Sequence, residues 1–152
     1  KGLGRTSPNP CVGAVIVKND KVIAKGYHEK AGTAHAEIQA MRNSSQPIVG
    51  TTIYVTLEPC NHTGKTPPCS RALLEAGFAR VVVGMTDPNP LVNGSGIDFL
   101  RSNGIAVTSG VLEQECRALN FPFIKHITLG MPWTIMKRIV VSNSFIILKY
   151  RH

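Results

Sequence analysis

Short runs of β-branched residues alternate with segments of helical periodicity along most of this chain, and a sheet covered by helices satisfies both patterns. Val12 to Val17 reads as a strand, Asn19-Asp20 as a turn and Val22 to Tyr27 as a second strand, which together make an antiparallel hairpin. Ala34 to Arg42 then puts Ala34, Ile38 and Met41 on one helical face, and Thr52 to Leu57 returns to a buried strand. Pro67 and Pro68 suit the first turn of a helix that runs through Arg71, Leu74 and Glu75 until Gly77 stops it. Arg80 to Met85 is the next strand, and Asp87-Pro88-Asn89-Pro90 is turn-rich. Beyond it a helix is expected over Gly96 to Ser102, a strand over Ile105 to Thr108 and a helix over Val111 to Asn120. Strand-helix-strand crossovers favour parallel neighbours with right-handed connections. The expected fold class is therefore α/β, with a mixed sheet in which an antiparallel hairpin is followed by parallel strands.

The 152 residues suffice for one sizeable core, and 43% hydrophobic with 17% charged residues excludes a collagenous or wholly disordered chain. No apolar run approaches the roughly 20 residues that cross a bilayer, and Lys1 to Pro10 lacks the apolar centre of a signal peptide. A soluble, cytoplasmic protein with no membrane partner is the expectation. Residues 1–130 read as one domain. Residues 131–152 form a C-terminal tail whose pattern is compatible with an extra strand, a linker or a disordered end. The net charge is +8, but Lys137, Arg138, Lys149 and Arg151 lie in that tail with no acidic residue among them. The preceding chain then carries thirteen basic against nine acidic residues, +4, an ordinary surface balance. Nucleic-acid binding is disfavoured because the basic residues are not clustered with interleaved aromatics. A phosphorylated small molecule needs only one or two of them.

Four cysteines in such a chain point to thiols or metal ligands rather than a disulfide frame. Cys60 follows a strand in Leu57-Glu58-Pro59-Cys60, and Cys69 opens a helix after Pro67-Pro68, so both are placed to ionise. Cys11 and Cys116 need no role beyond that of small buried hydrophobes. His35-Ala36-Glu37 supplies an imidazole and a carboxylate at a helix start. Side chains two apart on a helix diverge by about 200 degrees, so these two suit different roles unless the helix has barely begun. A Zn2+ held by His35, Cys60 and Cys69 keeps a fourth position for water, and Glu37 can reach that water as a general acid-base without ligating. His-x-Glu followed by Pro-Cys and a second Cys is the signature of zinc-dependent deaminases. The bland competitor is a closed structural zinc with His62 as fourth ligand. Between the two thiolates, the stretch from Asn61 to Pro68 is polar: Gly64 permits a tight turn, Lys65 offers an ammonium to a phosphate or carbonyl, and His62 a hydrogen-bonding edge.

At this level the sequence resembles the deaminase domain of the bifunctional riboflavin-biosynthesis deaminase/reductases, a branch of the cytidine deaminase-like superfamily. The resemblance runs through Thr6-Ser7-Pro8-Asn9-Pro10, Gly32-Thr33-Ala34-His35-Ala36-Glu37, Tyr54 to Cys60 and Gly64-Lys65-Thr66-Pro67-Pro68-Cys69, and extends to about Lys137. It implies a three-layer α/β/α sandwich and zinc on His35, Cys60 and Cys69. It also implies substrate-binding roles for Asn9, His28, His62 and Lys65, and a homo-oligomer. The implied reaction is hydrolytic deamination of a phosphorylated pyrimidine, 2,5-diamino-6-(ribosylamino)-4(3H)-pyrimidinone 5'-phosphate, to the 5-amino uracil derivative. A cytosine, nucleotide or tRNA adenosine deaminase is the alternative within the enzyme class, disfavoured by the long spacing between the thiolates. A noncatalytic zinc module that binds RNA or a protein partner is the alternative outside it. Met131 to Lys137 looks like the entry to a reductase domain, but Arg138 to His152 does not continue in the expected way, so no reductase activity is assigned.

Overall fold

The computed structural model describes residues 2–62, 67–90, 92–141 and 144–151, with side chains described as far as 134. Strands β1 (Gly13–Lys18) and β2 (Lys21–Tyr27) form the antiparallel hairpin, turning at Asn19 and Asp20, both with positive φ. Two consecutive positive-φ residues give the turn a twist that matches its strands. Helix α1 (Ala36–Arg42) leads to β3 (Thr52–Leu57), α2 (Cys69–Glu75) to β4 (Arg80–Met85), and α3 (Ser95–Ser102) to β5 (Ala106–Ser109). The sheet order is β2-β1-β3-β4-β5, antiparallel from β2 to β3 and parallel from β3 to β5. This is the mixed sheet expected from the sequence.

Alternation along the strands divides the layers. Ala14, Ile16, Ile53, Val55, Val81 and Val83 pack with Ala36 and Ala40 of α1, Leu73 of α2 and Ile97 and Leu100 of α3 in one buried cluster. Helix α4 (Glu113–Leu119) lies on the other face, where Cys116 meets the bare backbone of Gly84, beside a smaller cluster with Leu57 and Met85. Helices therefore cover both faces, as a three-layer sandwich requires. The second cover is partial: Tyr54, on the α4 side of β3, is 40% exposed.

Several boundaries depart from the sequence reading. α1 begins at Ala36 rather than Ala34, because His35 is extended with φ −68° and ψ 163°. α3 starts one residue before Gly96, and β5 runs one residue later than Ile105 to Thr108. The segment from Val111 to Asn120 is helical only from Glu113, since Leu112 sits in the left-handed region. A further helix, α5 (Phe121–Leu129), follows it, where the sequence reading placed nothing. Pro122 looks like a breaker but lies in the first turn, where its missing N–H costs nothing. In the tail, β6 (Thr134–Val141) and β7 (Ser144–Arg151) pair with each other as a separate two-stranded sheet. Among the described residues no helix is long and apolar enough to cross a membrane.

Gly26 of β2 allows α1 to approach the sheet. A Cβ there would collide with the Ala36 carbonyl oxygen and the Ala40 amide nitrogen, both backbone atoms. Gly26→Ala is accordingly expected to destabilise the fold by about 2–3 kcal/mol through overpacking. A lowered midpoint in urea denaturation is the readout, and an unchanged midpoint would show that α1 can shift freely.

Candidate metal centre and active site

Three elements deliver the donors. His35 is the last extended residue before α1, Cys60 stands three residues past the end of β3, and Cys69 is the first residue of α2. The Cys69 amide donates to Cys60 Sγ at 3.3 Å and the Ser70 amide to the Cys60 carbonyl at 3.1 Å. The first free N–H groups of α2 thus hold the Cys60 segment in place. His35 Nδ1 lies 3.1 Å from Cys69 Sγ and 3.6 Å from Cys60 Sγ. The three ligand atoms all fall within 4.8 Å of one another.

The two sulfurs are hydrogen-bonded to each other. The hydrogen bond from the Cys69 thiol, against the effect of burial, pulls Cys60 down to about 4, and the His35 hydrogen bond adds to it. Cys69 is pushed far up, first by donating to Cys60 and then by burial. The lowered Cys60 agrees with a thiolate there, to which the Cys69 thiol donates its proton. A divalent cation displaces such a proton on binding. Tetrahedral zinc, with bonds of about 2.3 Å to sulfur and about 2.0 Å to nitrogen, separates adjacent donors by roughly 3.5 to 3.8 Å. The spacing and the soft donor set fit Zn2+.

Glu37, the second residue of α1, is 3% exposed and its carboxyl meets the Cys69 thiol. Burial pushes that carboxyl above the ordinary glutamate range, partly offset by its own backbone N–H and by the nearby His35. The divergence expected of residues two apart on a helix does not arise. Because His35 precedes α1 in an extended conformation, its side chain is free of the helical wheel, and both side chains turn to the sulfurs.

His28, at the end of β2, is buried and meets the His35 ring edge-on with centroids 5.6 Å apart. Its Nδ1–H donates to the Ala34 carbonyl at 3.3 Å, so Nε2 accepts from the Asn9 amide at 3.1 Å. Burial lowers the His28 pKa, which keeps this ring neutral. Asn9 is half-buried beside it. His62 is exposed and stands outside the donor group, near Asp87. Lys65, with Gly64, lies outside the described residues. Cys116 is buried under α4 and Cys11 faces the Thr6 hydroxyl at 3.3 Å, so neither joins the donors.

Glu58 was not singled out from the sequence. It is 4% exposed, and its two carboxylate oxygens accept backbone N–H groups from Asp87, Gly94, Gly96 and Ile97. The available signal was an acidic residue wedged between a buried strand and Pro59-Cys60. A cavity of about 550 Å³ lies between the N-terminal turn and α5, lined by Leu3, Pro8, Asn9, Phe123 and Trp133 among others. Asn9 lines it but none of the three donors does, so the metal chemistry belongs to the donor cluster.

The family model of the cytidine and deoxycytidylate deaminase zinc-binding region matches residues 2–85. The chain is 50% identical over 127 residues to the diaminohydroxyphosphoribosylamino-pyrimidine deaminase of Buchnera aphidicola subsp. Acyrthosiphon pisum, covering 84% of this chain and 86% of that protein. It is also 50% identical over 137 residues to the riboflavin biosynthesis protein RibD of Aquifex aeolicus. That match covers 90% of this chain but 38% of the relative, so the chain spans well under half of that protein's length. A crystal structure of a diaminohydroxyphosphoribosylaminopyrimidine deaminase/5-amino-6-(5-phosphoribosylamino)uracil reductase from Thermotoga maritima matches with a TM-score of 0.84 and 47% identity. It covers 88% of this chain and 39% of that one.

Proposed function

Because this chain belongs to the cytidine and deoxycytidylate deaminase zinc-binding family, we propose that it deaminates 2,5-diamino-6-(ribosylamino)-4(3H)-pyrimidinone 5'-phosphate to 5-amino-6-(5-phosphoribosylamino)uracil, a step of riboflavin biosynthesis. The observation that carries the chemistry is the convergence of His35, Cys60 and Cys69 with the buried carboxyl of Glu37 against them. The choice of substrate is supported by the names of the relatives that share half their residues with this chain.

His35 Nδ1 and the sulfurs of Cys60 and Cys69 would hold the zinc. Zinc bound there supplies Lewis-acid activation of water at neutral pH. Glu37 moves the protons. Its carboxylate takes one from the attacking water, whose oxygen forms the new bond to the ring carbon that bears the 2-amino group, and gives it to the adjacent ring nitrogen. The second proton of the water passes through the same carboxylate to the amine, the C–N bond breaks, and ammonia leaves. A carboxyl raised by burial holds a proton more readily than a surface glutamate, which suits a shuttle that must both accept and donate.

Asn9, His62 and Lys65 contact the substrate in this reading, with Lys65 on the phosphate. His28 binds the substrate with them, its ring nitrogen accepting from the Asn9 amide. Residues 1–130 act as the deaminase unit and 131–152 as a tail. The enzyme is cytoplasmic, assembles as a homo-oligomer and takes a small phosphorylated pyrimidine rather than nucleic acid. The test is ammonia release by zinc-replete protein. Turnover of the pyrimidinone ribotide with none of cytidine, dCMP or tRNA is expected. Release from one of those three instead, or from no substrate at all, refutes the assignment.

A further inference from the structure

We propose that Glu58 is a positioning residue, whose carboxylate locks the turn at 87–90 and the first turn of α3 onto the Pro59-Cys60 segment and so fixes the width of the substrate cleft. Oε2 accepts from the Asp87 amide at 3.0 Å and the Gly94 amide at 2.9 Å, and Oε1 from Gly96 at 2.9 Å and Ile97 at 3.3 Å. A carboxylate offers about four lone-pair sites, and here all four are taken by backbone donors. Glu58 has none left for a metal, a substrate or a mobile proton, so its part in the reaction runs through what it holds.

What it holds is the Pro59-Cys60 segment on one side and the turn at 87–90 with the start of α3 on the other. Its own N–H donates to the Met85 carbonyl at 2.9 Å, which ties it to the end of β4. Gly96 packs so closely on Pro59 that a Cβ there would collide with the Pro59 carbonyl oxygen. Asn61, just beyond Cys60, donates to the Ser95 carbonyl at 3.2 Å and accepts from the Ser70 hydroxyl at 2.7 Å. The first segment carries the donor Cys60. The second carries Asp87, which lies near His62. α3 has a glycine N-cap with no side-chain cap of its own, and the Glu58 carboxylate supplies that cap from a distant part of the chain.

Glu58→Gln preserves the shape but turns an amide NH2 toward backbone N–H groups, so one side of the clamp opens. The inference rests on the deaminase reading, whose failure would appear separately as absence of turnover in the unsubstituted protein. In Glu58→Gln, KM for the pyrimidinone ribotide should rise at least about tenfold while kcat stays within about threefold and zinc remains at one ion per chain. Amide hydrogen exchange at Gly94, Gly96 and Ile97 should be slow in the unsubstituted protein and accelerate in the variant. An unchanged KM, a loss confined to kcat, or a loss of zinc would overturn the inference. So would fast exchange of those amides in the unsubstituted protein, a measurement that needs no variant to fold.

Discussion

Glu37→Gln is expected to keep a full complement of zinc and to lose at least about a hundredfold in kcat, the lower end of what general acid-base catalysis contributes. The substitution is nearly isosteric, and the side chain is 3% exposed in the first turn of α1, so the helix has no reason to shift. An amide cannot take a proton from water and return it. The three donor atoms lie on His35, Cys60 and Cys69, so removing the Glu37 charge leaves the coordination set whole. The two halves of the expectation are separable by metal analysis and steady-state kinetics on one preparation. Loss of zinc would make Glu37 a ligand or a structural support. Near-normal turnover with zinc present would send the proton transfer to another group, and the reading of the site would fall with it.

The sheet was legible because alternation along a strand is a local pattern. Ile16, Ile53 and Val81 are fully buried where a two-residue period places them, and the Asn19-Asp20 turn announces the hairpin. The metal donors were legible for a different reason: three liganding residue types in order, each at an element boundary, form a pattern that packing alone does not demand. Helical periodicity misled at His35, since a residue before the N-terminus of a helix does not obey the helical wheel. It also gave no sign of α5, where Pro122 resembles a terminator and the apolar residues lack a clean stripe. The role of Glu58, unlike its suggestive position before Pro59-Cys60, was beyond reach for a physical reason. Its partners are backbone amides 29 to 39 residues away, and an amide leaves no mark of its role in the side-chain sequence. A buried carboxylate satisfied only by main chain can be recognised only once the chain has folded around it.

Cys69→Ala is expected to drop bound zinc from one ion per chain to below about a fifth after dialysis, and turnover by at least about a thousandfold, because a catalytic site of this type needs three protein ligands. Cys69 is 2% exposed, so replacement by alanine trims one atom from a packed position and leaves the start of α2 intact. Its backbone N–H still reaches Cys60 Sγ, and His35 keeps its place before α1. A folded protein with two donors is the outcome, distinguishable from an unfolded one by circular dichroism. The contrast lies in His62→Ala. A closed four-ligand zinc would lose metal with either substitution, whereas His62 is exposed and outside the donor group, so its removal should leave the zinc content unchanged. Metal loss in Cys69→Ala with retention in His62→Ala leaves one coordination position open, as hydrolysis requires. Full zinc in Cys69→Ala would remove Cys69 from the ligand set, and loss of zinc in His62→Ala would make the site a structural one.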